Sequence, residues 1–148
     1  GIEKLLYIGN LESKRDWGHA KDYSRMQWMM LQQKKPIDYV ISTGKQYTVR
    51  KFIELTCKEL GIIIVWKGKG LKEIGLVKKL TKKNKNLKIG QVIIRVSSLY
   101  YRPTEVNSLL GDSSKAGREL KWVPKISIKG LVKEMVKSDL EIIKKKYL

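Results

Sequence analysis

The chain has 148 residues, and its 32 lysines and arginines outnumber its 14 aspartates and glutamates, for a net charge of +18. Hydrophobic residues make up 42% of the sequence, which predicts a single folded domain with a modest core and excludes a disordered chain. The one cysteine, Cys57, excludes an internal disulfide and a zinc cluster, and the one histidine, His19, excludes a metal site built from several histidines.

A predicted strand lies very close to the first residue of the chain. An apolar, strand-like run at residues 5–8 follows Gly1 almost at once, so we interpret the chain as cut from something longer, with a processed or tagged chain as the alternative. No apolar run reaches the about 18–20 residues of a membrane span, and the start lacks the regions of a signal peptide. We therefore expect a cytoplasmic protein without a membrane partner.

The first part of the chain alternates strand-like and helix-like segments. Residues 5–9 predict a short buried strand, and a polar and aromatic loop leads from it into a helix that stops before Pro36. Residues 38–43 predict a second buried strand. The predicted inner face of the helix consists of Tyr23, Met26, Met30 and Leu31.

Capping residues mark the remaining helices. Thr48 is the predicted N-cap of a second helix that ends at Gly61, and Asp112 and Ser127 are the predicted caps of two later helices. The last helix is predicted to bury an apolar face that starts at Ile128.

Strands are predicted at residues 62–66 and 91–97, whereas the lysine-rich residues 71–88 lack a clear periodicity and are predicted to form a loop. Alternating strands and helices predict an α/β fold on a largely parallel sheet. About four strands is few for an independent sheet, which again suggests part of a larger one.

Several notable side chains are predicted to be packing residues. Cys57 falls in the apolar pattern of the second helix and is interpreted as a core residue rather than a nucleophile. The tryptophans at positions 28, 66 and 122 are likewise predicted to pack in the interior.

The positive charge admits polyanionic partners, namely nucleic acid, an acidic membrane or a nucleotide diphosphate. The densest lysine cluster lies at residues 78–85, and a second lies at residues 144–146. Neither cluster is interleaved with aromatic residues, as a surface for single-stranded nucleic acid would be. We favour a solvated lysine-rich surface and keep a basic, non-catalytic nucleic-acid-binding module as the alternative function.

The loop after the first strand is the first candidate site. Ligands of open α/β sheets bind beyond the carboxyl ends of strands, where this loop places Lys14, Arg15 and Trp17. The guanidinium of Arg15 can bind two phosphate oxygens at once, and Lys14 adds a compact charge. A local salt bridge between Arg15 and Asp16 is the alternative interpretation.

The segment after the strand at residues 91–97 is the second candidate site. Pro103 restricts the conformation of Arg102, and Glu105 follows three residues after that arginine. An arginine for a diphosphate and a carboxylate for two ribose hydroxyls suit a nucleotide, although an ion pair in a turn would use the same residues.

A third group, residues 43–50, ends in Arg50, for which we prefer a structural or oligomer-contact role. The sequence contains no Gly-x-Gly-x-x-Gly after a strand and no phosphate-binding Gly-x-x-x-x-Gly-Lys-Ser/Thr loop. Composition and spacing alone therefore do not indicate an enzyme.

From about residue 5 to about residue 142, the sequence resembles the GDP-mannose 4,6-dehydratase family of the extended short-chain dehydrogenases/reductases. The run from Lys14 to Tyr23 is specific to that family, and the Arg102-to-Val106 motif is shared by many sugar-nucleotide enzymes. Further matching residues are Gly9-Asn10-Leu11, residues 28–33 and 38–41, Thr43-Gly44, Val49-Arg50, residues 109–112, Lys115-Ala116, Leu120, Trp122, Pro124, residues 131–136 and residues 139–141.

The resemblance implies the C-terminal part of an extended Rossmann-type α/β enzyme, comprising its last parallel strands and small substrate-binding region. In this family, NADP oxidises C4 of GDP-mannose, water is eliminated across C5–C6, and hydride returns to C6. The cofactor-binding and catalytic motifs of the family precede the matching region, so residues 1–148 are expected to carry only substrate binding and to be inactive without that missing half.

The resemblance also implies which residues bind substrate. Arg15 and Arg102 are expected at the diphosphate or ribose of GDP-mannose, Glu105 at the ribose, and Lys14 as a further contact. A homo-oligomer is implied for the full-length enzyme.

Two departures from the family pattern stand out. Residues 97–99 are Ser-Ser-Leu where the family has Asp-Pro-Arg, which removes charges near the binding face. Lys121 replaces the glycine of the family's Leu-Gly-Trp, and we expect this change to affect stability alone.

Overall fold

A computed structural model describes residues 3–102, 104 and 106–147. The chain divides into two compact units, each of which combines separate stretches of sequence. Unit 1 consists of residues 1–13 and 48–107, and unit 2 consists of residues 14–47 and 108–148. None of the helices in the described ranges has the length and apolarity to cross a membrane.

Unit 1 is built on a four-stranded sheet formed by β1 (Leu6–Ile8), β4 (Ile62–Lys67), β5 (Ile74–Leu80) and β6 (Val92–Val96). Their spatial order is β1-β6-β5-β4. Strands β1 and β6 are parallel, whereas β5 runs antiparallel to both of its neighbours. The α/β class is confirmed, but the prediction of a largely parallel sheet is wrong: two of the three described pairings are antiparallel, because β4 and β5 are joined by a short connection and not by an α-helix. A short 3₁₀ turn lies at Gly70–Lys72.

Helix α2 (Val49–Glu59) covers this sheet. Thr48 caps it as predicted, because the hydroxyl accepts a hydrogen bond from the amide of Lys51 at 3.0 Å. Gly61 follows the helix with φ of +79°, a conformation that favours glycine. The helix and the sheet share one apolar core, which consists of Leu11, Ile53, Cys57, Ile62, Val77, Ile94 and Val96. The prediction that Cys57 is a core residue is therefore confirmed.

Strand β5 corrects the prediction of a loop over residues 71–88. The antiparallel strand has Gly75 and Val77 buried, while Lys78 and Lys79 are exposed. The glycine and the lysine pair interrupt the apolar alternation by which a strand is recognised in sequence. The backbone pairs with β4 and β6 all the same, and tertiary hydrogen bonding outweighs the weak local pattern.

Unit 2 is mainly helical, with α1 (Ala20–Leu31), α3 (Ser114–Leu120) and α4 (Ile128–Tyr147). Its core contains Met26, Ala116, Leu120 and Trp122, with Tyr39 and Ile41 packed against them. The other short strands are β2 (Lys14–Arg15) and β3 (Tyr47–Thr48), which pair with each other.

Residues 38–43 form no strand, contrary to the prediction. Tyr39 and Ile41 have strand-forming side chains, but they pack against the helical core of unit 2 instead. The amides of Thr43 and Gly44, at the end of the segment, donate to the side chain of Asp16 rather than to a neighbouring strand. The apolar pattern therefore reflects burial on a helical cluster.

Exposed apolar residues correct several burial predictions. Leu6 and Tyr7 are half exposed because β1 is an edge strand of the sheet. On α1, Leu31 is 81% exposed, and Trp28, which was predicted to be a packing residue, is 62% exposed. Of the predicted packing tryptophans, Trp122 is the fully buried one, at 1% exposure.

The helix caps in unit 2 are close to those predicted. The Ser127 hydroxyl accepts from the amide of Gly130 at 3.2 Å, so its capping role at α4 is confirmed. At α3 the N-cap position is Ser113, one residue after the predicted one, and Asp112 accepts from the amide of Ser114 at 2.9 Å.

Candidate functional site

Strand β2 carries both predicted cationic ligands of unit 2, Lys14 and Arg15. The carbonyl of Lys14 accepts from Nη1 of Arg15 at 2.8 Å and from the amide of Leu109 at 3.3 Å. Ser108, which bridges to Lys14, accepts from Nε2 of Gln46 at 2.8 Å. Backbone pairing with residues 108–109 therefore fixes the position of this strand within unit 2.

The carboxylate of Asp16 fastens the next loop. One of its oxygens accepts from the amide of Thr43 at 3.0 Å and from the hydroxyl of the same residue, and the other accepts from the amide of Gly44 at 2.9 Å. Gly44 has φ of +69°, which suits glycine at this turn. Asp16 thus joins the loop that contains Arg15 to residues 43–44, in addition to any local salt bridge with Arg15.

A cavity of about 340 Å³ opens beside Arg15, within unit 2. This size lies at the lower end of small-molecule pockets. Polar and apolar groups both line it: Arg15, Asp16, Tyr23, Ile41, Ser42, Leu109, Leu110 and Gly111. The prediction of Arg15 as a site residue therefore has a concave surface beside it on which a ligand can sit.

Tyr23, predicted only as a core residue, also lines this cavity, and its hydroxyl accepts a hydrogen bond from the amide of Gly18. Burial, followed by the charge of Asp16, raises the pKa of the Tyr23 phenol, although a hydrogen bond from the Gly18 amide acts in the opposite direction. The phenol is therefore protonated at neutral pH and can donate a hydrogen bond. Helical spacing assigns this residue to the interior and gives no indication of its polar end.

Ser42 and Gly111 also line the cavity and were not predicted as site residues. Ser42 lies within a segment that was read as a buried strand, and Gly111 was noted only for its resemblance to the family. A short hydroxyl inside an apolar run carries no pattern that distinguishes a ligand contact from a packing residue.

The second predicted site lies in unit 1. Arg102 is exposed and follows a turn in which the amides of Tyr100 and Tyr101 both donate to the carbonyl of Ser97, at 3.2 and 3.1 Å. Glu105 lies outside the described residues. Lys14 and Arg15 belong to unit 2 and Arg102 to unit 1, so the joint use of the two arginines stays a prediction.

Arg50 is held in place by two carboxylates, which supports the structural part of the predicted structural or oligomer-contact role, and the oligomer contact stays a prediction. Its guanidinium donates to Glu73 at 2.6 and 3.1 Å and to Glu12 from Nε at 3.0 Å. It also lies over the ring of Trp66, 4.8 Å from the centroid. Hydrogen bonds to Glu73 chiefly raise the Arg50 pKa, outweighing the opposing effect of burial. This network ties the start of α2 to its neighbours in unit 1.

Trp17 lines a separate cavity of about 240 Å³ in unit 2, together with Lys45, Tyr47 and the residues that lead into α4. In the ranges that the structure describes, no group of three or more histidine, cysteine, aspartate or glutamate side chains is placed to hold a metal ion. The cavity beside Arg15 combines Arg15, a predicted substrate-binding residue, with the buried Ser42.

Comparisons with known proteins agree with this fold. A family profile described as GDP-mannose 4,6 dehydratase matches residues 1–135. A GDP-mannose 4,6-dehydratase of Vibrio cholerae is 54% identical over 142 residues, which are 95% of this chain and 38% of that protein. The human GDP-mannose 4,6 dehydratase is 44% identical over 144 residues, 97% of this chain and 36% of its own length.

A solved structure of RMD from Pseudomonas aeruginosa, complexed with NADPH, shares the fold, with a TM-score of 0.63 at 16% identity. The match covers 90% of this chain and 35% of that one. The chain thus spans somewhat more than a third of the length of the curated relatives it matches. From the extent of the family match and the identity to these relatives, the chain belongs to the GDP-mannose 4,6-dehydratase family.

Proposed function

We propose that this chain is the C-terminal, substrate-binding portion of a GDP-mannose 4,6-dehydratase. In this proposal, Arg15 and Arg102 bind the diphosphate or ribose of GDP-mannose, Glu105 accepts from the ribose hydroxyls, and Lys14 adds a further cationic contact. The observation that carries it is the cavity beside Arg15, which that residue lines together with Ser42, Tyr23 and apolar side chains. A guanidinium is well suited to a diphosphate because it donates two parallel hydrogen bonds.

The proposed reaction converts GDP-mannose to GDP-4-keto-6-deoxymannose and water. The hydride carrier in this proposal is NADP, in keeping with the NADPH named for the Pseudomonas aeruginosa structure. This chain contributes binding and orientation of the nucleotide handle. Holding that handle in place is itself catalytic in effect, since it fixes the sugar relative to the reacting groups.

Cofactor binding and chemistry are assigned to a different portion of the enzyme. The sequence lacks the glycine-rich turn that holds a dinucleotide pyrophosphate. Tyr47 and Lys51 repeat the Tyr-x-x-x-Lys spacing, but Tyr47 lies in β3, before the N-cap of α2 at Thr48. The two residues are thus not one turn apart on a single helix, and we propose no catalytic residue in this chain.

A homo-oligomer and a cytoplasmic location stay predictions for the full-length enzyme. The fixed position of Arg50 supports its structural role, and a contact between protomers through that residue is not required by the proposal.

Complementation tests the proposal. The purified chain is mixed with the remaining, cofactor-binding portion of the 54% identical Vibrio cholerae relative, and the formation of the 4-keto sugar nucleotide is measured. We expect turnover of GDP-mannose with the two portions together and none with this chain alone. A well-folded complex of the two portions that does not turn over GDP-mannose would contradict the proposal.

A further inference from the structure

Ser42 has a buried hydroxyl without a hydrogen-bond partner among the described residues. The residue is 4% exposed. A buried hydroxyl that makes no hydrogen bond is destabilising, so such a group in a folded protein calls for a specific explanation.

Gly111 provides the space that this side chain occupies. A Cβ atom at position 111 would lie 2.4 Å from Cβ of Ser42 and 2.8 Å from its Oγ, too close for either atom to stay in place. The absence of a side chain at Gly111 thus lets Ser42 line the cavity wall.

Arg15 and Tyr23 line the same cavity. The apolar side chains of Ile41, Leu109 and Leu110 form the rest of its wall. A cation and nearby hydroxyl donors in one such cavity favour an anionic oxygen as the acceptor.

Asp16 also lines the cavity, and its negative charge would oppose an anion. Its carboxylate oxygens accept three hydrogen bonds from Thr43 and Gly44, two of them from backbone amides. These donors offset part of the charge, and Arg15 supplies the opposite one.

We propose that the Ser42 hydroxyl donates a hydrogen bond to a phosphate oxygen of the GDP diphosphate bound beside Arg15. This inference rests on the proposed function and adds Ser42 as a substrate-contacting residue. The hydroxyl is closed off from solvent without ligand, so this contact requires the side chain to turn toward the cavity about χ1, where the bound diphosphate supplies the missing acceptor.

The test substitutes Ser42→Ala in the 148-residue chain and measures GDP affinity by titration calorimetry and the Tm without ligand. We expect Kd for GDP to rise about 5- to 10-fold, the typical effect of losing one hydrogen bond to a charged group. We expect the Tm of the ligand-free variant to be unchanged or higher, because the substitution removes a polar atom that lacks a partner. If Ser42 contacts the ligand, Ser42→Ala therefore weakens GDP binding without lowering the stability of the ligand-free chain.

Ser13→Ala is the matched control. Ser13 is 1% exposed, and its hydroxyl also lacks a partner among the described residues, but it is not among the residues that line the cavity. We expect its Tm to be unchanged or higher and its Kd for GDP to equal that of the wild type.

Guanosine, which has no phosphate, separates the phosphate from the rest of the nucleotide. Equal loss of affinity for guanosine and GDP in Ser42→Ala would overturn the assignment to a phosphate oxygen. Unchanged GDP affinity would overturn the inference and leave the proposed function standing. A lower Tm for Ser42→Ala would show an internal partner and also overturn it, whereas a wild-type chain that does not bind GDP would end both proposals.

Discussion

Single buried polar residues hold unit 2 together. Asp22 is 3% exposed, and its Oδ2 accepts from the amides of Lys125 and Ile126, both at 2.8 Å. Its carbonyl accepts from the indole of Trp122 at 3.1 Å. One residue of α1 thus fixes the segment that leads into α4, and a loss at this position leaves buried donors without an acceptor.

The substitution Asp22→Ala is expected to lower the free energy of unfolding by about 3 kcal/mol, because two backbone amides lose their acceptor. Urea denaturation followed by circular dichroism measures the change. Asp139→Ala, an exposed aspartate on α4, is the control and should stay within about 0.5 kcal/mol of the wild type. Equal stability of the two variants would contradict the structural role of Asp22.

Cys57 is buried in the core of unit 1. Burial, with a smaller contribution from Glu54, raises the pKa of its thiol to about 11. Because the thiolate is the reactive form, and its fraction falls as pH drops below the pKa, the native thiol should react slowly at pH 8.

Labelling with Ellman's reagent at pH 8 is therefore expected to be at least about 100-fold slower in the native chain than in the chain unfolded by guanidinium. The native rate should rise as the pH approaches 11 in a scan that keeps the chain folded. Similar rates in native and unfolded chains would show that Cys57 is accessible and ionised, contrary to its packing.

At the scale of the element, the end of α3 departs from the family pattern in a way that the structure explains. Lys121, in place of the family's glycine, has φ of +55°, a left-handed conformation that suits glycine better than a residue with a Cβ. The sequence predicted an effect on stability alone, and this backbone geometry supplies the physical cause.

Lys121→Gly is expected to raise the free energy of unfolding by about 1 kcal/mol, since glycine adopts this conformation without strain. Thermal or urea unfolding measures the gain. Lys121→Ala is the matched control, because it removes the lysine chain but keeps the Cβ atom. An equal gain in both variants would assign the effect to the lysine side chain instead of the backbone.

Sequence patterns predicted the capped helices and the strands β1, β4 and β6, where propensity and caps agree, although the burial predicted for β1 was wrong. They missed β5, because Gly75 and the pair Lys78-Lys79 break its alternation. They also placed a strand at residues 38–43, where apolar side chains pack on helices and the terminal amides bind Asp16. Short apolar runs do not reveal their partners, so long-range pairing decides such cases.

The residues of the candidate site likewise divide into those that the sequence predicted and those that it missed. Lys14, Arg15 and Arg102 could be proposed from sequence, because cations after strands indicate anion binding. Ser42, Tyr23 and Gly111 emerged from the cavity alone, since their roles depend on packing between distant segments. Motif residues can be recognised in the sequence, whereas the residues that line a cavity cannot.

At the scale of the whole molecule, the chain is a basic member of its family with two compact units, and its net charge of +18 has two competing explanations. A nucleotide-sugar site uses a few placed cations, so its affinity depends on those side chains. A nucleic-acid-binding surface uses many cations, and its affinity falls steeply with salt. The alternative of a nucleic-acid-binding module can therefore be separated from the proposed function by one binding experiment.

Titration calorimetry of GDP-mannose into the 148-residue chain, at low and moderate salt, is that measurement, with Arg15→Met, Arg102→Met and the exposed control Lys79→Met. We predict saturable binding with one site per chain, at least about tenfold weaker for each arginine variant and unchanged for Lys79→Met. Salt should weaken it far less than the binding of a single-stranded oligonucleotide. Absence of GDP-mannose binding, or equal binding by all variants, would contradict the account.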